Sequence, residues 1–160
     1  DGDTTQMALV GEPFKYVAGK RLWFGIRIAQ ADADDGELAF GLIIQDTNIF
    51  STLPAHGIFF EKAETATARD FHTRKGGTST EDTAIDTSAM TDGTFRTYQV
   101  YVDEDGNVHY YYEGTKIGTV AAGTATIPDT EDLTLAIQIQ TGAAGVDTCD
   151  IDWVYAFQER

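Results

Sequence analysis

Apolar residues recur at every second position along most of the chain. Leu22, Phe24, Ile26 and Ile28 form one such set, and Leu38, Phe40, Leu42 and Ile44 a second. Tyr98, Val100 and Val102 are followed by Val108, Tyr110 and Tyr112. Leu133, Leu135, Ile137 and Ile139 alternate with Thr134, Ala136 and Gln138, and the chain closes on Ile151, Trp153, Tyr155 and Phe157. A period of two places one face of a strand on a core and the other towards water or a partner. Val, Ile, Thr, Tyr and Phe dominate these stretches, as strands prefer. Turn residues separate them: Asp32-Ala-Asp-Asp-Gly36, Asp103-Glu-Asp-Gly-Asn107, and Glu113-Gly114 before a short strand at 116–120. Glycine supplies the positive φ of a tight turn, and Asp or Asn bonds back to the backbone. The pattern predicts an all-β fold, a two-sheet antiparallel β-sandwich built from hairpins.

Evidence for a helix is thin. Residues 61–69 contain alanines but also alternating threonines and no apolar stripe, so they read as a strand end plus a hairpin turn. Residues 76–93 are rich in Thr, Ser, Asp and Gly around isolated Ile85 and Met90. They read as a long surface connection carrying a short edge strand at 80–86, of the kind that hosts binding or serves as exposed padding. With no internal repeat or linker, residues 1–160 read as a single domain. Asp1 opens the chain without an initiator Met or a signal-like segment, as in a processed or trimmed part of a longer protein. The last strand, running almost to Arg160, reads as a natural domain end.

The charge balance narrows the partners. Twenty-six acidic residues against 11 basic ones give a net charge of −15. Binding nucleic acid requires cationic side chains that replace counterions, so nucleic acid is not expected, and neither is an anionic membrane surface. No apolar run approaches the roughly 20 residues of a membrane-spanning helix. The lone cysteine, Cys149, has no partner for an intrachain disulfide and reads as a small core residue rather than a nucleophile.

Catalytic and metal patterns are sparse. A sandwich glycosidase is expected to alternate several acids along one strand face, so that two flank the scissile bond. Only Asp150-Ile-Asp152 comes close, with two acids and no third. Asp103, Asp105 and Asn107 alternate like the first ligands of a calcium loop, but Gly106 is out of place and no glutamate closes the loop. Asp32, Asp34 and Asp35 read as turn acids. His56, His72 and His109 are scattered, with His109 on the outward phase of an aromatic strand. There is no nucleophile elbow, phosphate loop or zinc spacing, so neither a catalytic residue nor a cofactor is expected. Aromatic residues out of phase with the core are more telling. Trp23, Tyr101 and Tyr111 should share an outer face with Arg27 and His109, and apolar surface there needs something to cover it. These five residues are the candidate interface, for a protein or for sugar stacking.

Several stretches, in order, resemble a known family. They are Lys20-Arg-Leu-Trp-Phe-Gly-Ile-Arg27, Phe40-Gly-Leu-Ile-Ile-Gln-Asp-Thr47, His56-Gly-Ile-Phe-Phe-Glu-Lys62, the hairpin at 98–114, and Ile151-Asp-Trp-Val-Tyr-Ala-Phe-Gln-Glu-Arg160. The succession resembles the concanavalin/laminin-G-like jelly-roll domains of tailed-phage virion proteins over most of residues 10–160. His56 and Glu113 depart from it, standing where that family carries an acid and an asparagine. The resemblance implies a non-enzymatic capsid decoration (cement) or head-fibre protein, often trimeric. It would be made in the host cytoplasm, bind the major capsid protein and stabilise the shell on its outer surface. The alternative on the same fold is a carbohydrate-binding module or adhesin, with Trp23, Tyr101, Tyr111 and Arg27 as its contacts.

Overall fold

The computed structural model describes residues 2–32, 35–45, 49–86, 91–142 and 147–160. Among them twelve strands form two antiparallel sheets. In chain order these are β1 (Thr4–Ala8), β2 (Phe14–Lys15), β3 (Leu22–Gln30), β4 (Glu37–Ile43), β5 (Gly57–Lys62) and β6 (Asp70–Lys75). There follow β7 (Thr78–Asp82), β8 (Arg96–Val102), β9 (Val108–Tyr112), β10 (Thr115–Val120), β11 (Asp132–Gln140) and β12 (Cys149–Gln158). The larger sheet runs β1-β11-β4-β5-β6-β7, with β2 also paired to β11; the smaller runs β10-β9-β8-β3-β12.

The core between the sheets is the alternating apolar set. Phe24, Ile26 and Ile28 of β3 and Tyr98, Val100 and Val102 of β8 meet Leu38, Phe40 and Leu42 of β4 and Leu133, Leu135, Ile137 and Ile139 of β11. The aromatic rings of Phe40, Phe60 and Tyr98 pack at centroid separations of 5.1 to 5.5 Å in tilted geometry, the arrangement favoured by ring quadrupoles. Ile44 follows β4 half-buried, packed against this cluster.

The outward residues of β11 are also buried, contrary to the sequence expectation of a half-exposed strand. Ile49, with Phe50 and Leu53 beside it, packs over Ala39, Ile43, Phe59 and Ala136 on the outer face of the larger sheet. The Gln138 side-chain oxygen accepts the Ile49 N–H at 2.7 Å, so a polar residue in the strand satisfies the backbone that crosses it.

The segment after β6 also departs from expectation. The edge strand is β7, beginning at Thr78 directly after a Gly76-Gly77 turn and pairing with β6. Beyond it, Ile85 enters the core and Asp86 is buried against Arg69, whose Nη1 lies 3.3 Å from the Asp86 carboxylate and 2.5 Å from the Tyr98 hydroxyl. Burial pushes the Asp86 carboxyl up, and the Arg69 charge and the Tyr98 hydroxyl work against that push. Met90 and Asp34 lie outside the described residues.

The last strand corrects the expectation most. Trp153, Tyr155 and Phe157 do not face the core; Ile151, Val154 and Ala156 do. The register explains the change. Ile151 sits opposite Ile28, but the next residue of β3, Arg27, sits opposite Trp153. Asp152 is therefore an extra residue, a β-bulge, and every side chain after it turns to the other face.

Candidate functional site

The bulge assembles an aromatic outer face on the smaller sheet. In one cross-strand row, Phe157 of β12, Trp23 of β3, Tyr101 of β8 and His109 of β9 stand side by side. Their rings stack in sequence: Phe157 on Trp23 at 4.7 Å, Trp23 on Tyr101 at 5.4 Å, and Tyr101 on His109 at 5.9 Å. The next row holds Tyr155, Gly25, Gln99 and Tyr111, and the third places Trp153 beside Arg27 and Thr97.

Gly25 is required here. A Cβ on it would lie 2.5 Å from Cζ of Tyr155, so the tyrosine ring lies across the gap that glycine leaves. The Tyr155 hydroxyl then accepts a hydrogen bond from Gln99 Nε2 at 3.0 Å. Between the two rows, Trp23, Gln99, Tyr101, Tyr111 and Tyr155 line a shallow depression of about 260 Å³. Its walls are aromatic, and its polar groups are one amide and the tyrosine hydroxyls. Such a surface takes a flat polar ring, stacked on carbon and oriented by a few hydrogen bonds.

All five interface candidates from the sequence thus share this face, and each is half-buried. Arg27 is ion-paired to Asp152, and its guanidinium sits 4.6 Å from the centre of the Phe95 ring. His109 Nε2 donates to Asp103 Oδ2 at 2.8 Å, and its Nδ1 lies 2.9 Å from the Thr119 hydroxyl. The ring is therefore a tethered end to the aromatic row. Burial works against ionisation of Asp103, but hydrogen bonds from Asn107 and His109 outweigh it and hold the carboxyl down at about 2.

The other candidates separate. Asp103 and Asn107 are occupied in closing the β8–β9 hairpin, where the Asn107 N–H donates to Asp103 Oδ1 at 2.9 Å. The Asp35 N–H donates to Asp32 Oδ1 at 3.2 Å, within the turn itself. Asp150 and Asp152 are both exposed on β12. Cys149 is half-buried against the core, and burial, then Asp147 and Asp150, push its thiol up. His56 follows the 49–53 segment and accepts the Ile44 N–H through its carbonyl at 3.1 Å. His72 lies far from the aromatic row, on the outer face of the larger sheet opposite Phe59.

Sequence reasoning missed Trp153, Tyr155, Phe157 and Gln99. One signal pointed to them: Gly25 interrupts an otherwise bulky strand, and such a glycine marks close approach of a neighbouring side chain.

Two stacked antiparallel sheets joined in this way define a concanavalin-like β-sandwich, and solved structures bear this out. The carbohydrate recognition domain of Emp46p in its potassium-bound form superposes with a TM-score of 0.66 at 9% identity, covering 98% of this chain and 78% of that one. A β-1,3-glucanase from Mycobacterium marinum gives a TM-score of 0.64 at 13% identity over 96% of this chain and 73% of the enzyme. An endo-1,3-β-glucanase from Streptomyces sioyaensis gives 0.62 at 12% identity over 86% of this chain, which spans only 59% of that protein. At these identities the likeness is one of fold. No protein-family model and no curated protein sequence matches the chain. Nothing in these likenesses points to a virion protein.

Proposed function

We propose that this domain is a non-catalytic carbohydrate-binding module that takes its ligand on the aromatic face of the smaller sheet. The observation that carries the reading is the depression lined by Trp23, Gln99, Tyr101, Tyr111 and Tyr155. The rings supply apolar contact surface for a pyranose, and the amide and hydroxyls supply orientation. Asp152, an acid of this face on β12, is ion-paired to Arg27, which weighs against its acting as a free carboxylate in glycoside hydrolysis. Carbohydrate recognition domains and glycan-acting enzymes among the structures of this fold support the class of ligand, though not its identity.

Both tryptophans of the chain, Trp23 and Trp153, stand on this face, so tryptophan emission reports its occupancy. Titration with a panel of soluble oligosaccharides is expected to give a saturable emission change with at least one of them. Trp23→Ala and Tyr155→Ala should weaken that binding tenfold or more, about 1.4 kcal/mol, with far-UV circular dichroism unchanged. A panel of neutral and acidic glycans that gives no response sinks the reading.

A protein partner is the second reading, favoured by a different observation. Met7, Leu9 and Phe157 are about half exposed, at 49%, 46% and 51%. Met7 and Leu9 join Leu135, Val154 and Ala156 around an apolar groove of about 420 Å³. Contiguous exposed apolar surface marks an interaction site. The partner suggested by the sequence resemblance is the major capsid protein, with this chain as a trimeric decoration on the outer surface of a virion. On that reading the purified chain co-sediments stoichiometrically with decoration-free capsids and raises their melting temperature; no co-sedimentation with capsids from its source discards it.

A further inference from the structure

We propose that Glu61, Asp70 and His72 form a site for a divalent transition-metal cation, of the zinc or manganese class, on the outer face of the larger sheet. The site is independent of the carbohydrate reading, which concerns the other sheet.

Strand geometry brings the three together. Glu61 and Asp70 are directly paired across β5 and β6, and His72 follows Asp70 by two residues and so shares its face. One ligand atom from each lies within 4.8 Å of the other two. Zinc binds imidazole nitrogen and carboxylate oxygen at about 2.0–2.2 Å, which puts neighbouring ligand atoms of a tetrahedral shell roughly 3.3–3.6 Å apart. His72 Nε2 and Glu61 Oε2 already stand 3.4 Å apart. Asp70 offers its ligand atom within 4.8 Å of both, so completing the shell asks of it a closing movement on the order of 1 Å. One of its oxygens, Oδ1, accepts the Ala84 N–H at 2.7 Å, an outer bond that orients the carboxylate.

The state of His72 points to a ligand. Its side chain is 2% exposed, yet neither ring nitrogen has a hydrogen-bond partner. Buried polar atoms are normally satisfied, and an exception calls for an explanation such as an ion. Stacking on Phe59 at 4.9 Å fixes the ring plane, so the edge of the imidazole stays aimed at Glu61. On its other side, Glu81 Oε2 lies 3.9 Å from Nδ1, in place to orient the ring once Nε2 is coordinated. Glu81 adds a third carboxylate beside the imidazole, while Arg74, two residues further on the same face of β6, donates to the Gly77 carbonyl. Lys62, the adjacent cation in the chain, points the other way and donates to the carbonyls of Gly36, Ala63 and Glu64. One imidazole with two carboxylates suits zinc or manganese better than calcium, which prefers an all-oxygen shell of six to eight ligands.

The test uses the intact chain after chelation, with Zn²⁺, Mn²⁺ and Ca²⁺ as separate probes in calorimetry and thermal unfolding. Zn²⁺ or Mn²⁺ should bind saturably with one ion per chain and raise the melting temperature, and Ca²⁺ should bind at least tenfold more weakly. Nitrogen NMR of His72 should shift on zinc addition while His56 and His109 stay in place. Glu61→Gln and His72→Gln should each abolish the effect. If His72→Gln does not fold, the isosteric Glu61→Gln decides alone. Absence of saturable binding of Zn²⁺ and Mn²⁺, unchanged affinity in Glu61→Gln, or a His72 ring unmoved by metal each overturns the site and leaves a buried histidine beside carboxylates.

Discussion

At the scale of single residues, hydrogen bonds decide more than charge counts. Asp103 is one of 26 acids in a chain of net charge −15, yet its carboxylate closes a hairpin and anchors His109 at the end of the aromatic row. Its folded pKa of about 2 lies below the ordinary 3.8. Its contribution to stability is therefore fully present above about pH 4 and is lost as pH falls towards 2. Asp86 acts in the opposite sense. Its folded value is raised by burial, so the native state holds that proton more tightly, and Asp86 favours folding more as pH falls through the window between its raised value and 3.8. Asp103→Asn separates the two. Its urea midpoint should lie below that of the parent near pH 6, and the gap should narrow below pH 4 and close only below about pH 2. An undiminished gap at low pH would show that the hydrogen bonds, not the ionisation, carry the effect. Tyr98 was legible as an inward residue, but the buried pair it joins, Arg69 and Asp86, was not, because period-two patterning ranks residues by polarity and cannot announce that a charge will be buried with its partner.

At the scale of elements, alternation was a reliable guide wherever a strand was regular. The inward sets of β3, β4, β8, β9 and β11 were legible because two sheet faces impose opposite solvents on successive residues. The inward set of β12 was not, because one inserted residue reverses the phase and leaves no mark on composition. β1 and β2 were also missed: Thr4–Ala8 is exposed almost throughout and Phe14–Lys15 is two residues long, so neither carries an alternating signal. The covering of the larger sheet by Ile49 is a long-range contact that no local pattern encodes. The bulge can be tested directly. Deleting Asp152 should restore regular pairing while keeping Trp153, Tyr155 and Phe157 on the outer face. The protein should fold and lose about 1 kcal/mol or less, the worth of an exposed ion pair with Arg27. Deleting Val154 instead should turn Tyr155 and Phe157 into the core and prevent cooperative folding. Equal damage from the two deletions, read by urea unfolding, would contradict the register.

At the scale of the molecule, the two sheets divide the chemistry between them. The aromatic face belongs to the smaller sheet and the His72 cluster to the larger, with the full thickness of the core between. Five residues of the aromatic face were legible as a group, because Trp23, Tyr101 and Tyr111 stand out of phase with strands whose cores are unmistakable. What they bind was not, since the same sandwich serves recognition domains and glycan-acting enzymes alike. The smaller sheet ends at β12, paired on one side only, and the first pair of that strand joins Cys149 to Gln30. The chain's one thiol is thereby stationed at the start of an edge strand, half-covered and with burial favouring its protonated, unreactive form. It can serve as a reporter: parting of β12 from β3 would uncover it fully, so its alkylation under native conditions should quicken in any variant that loosens that edge.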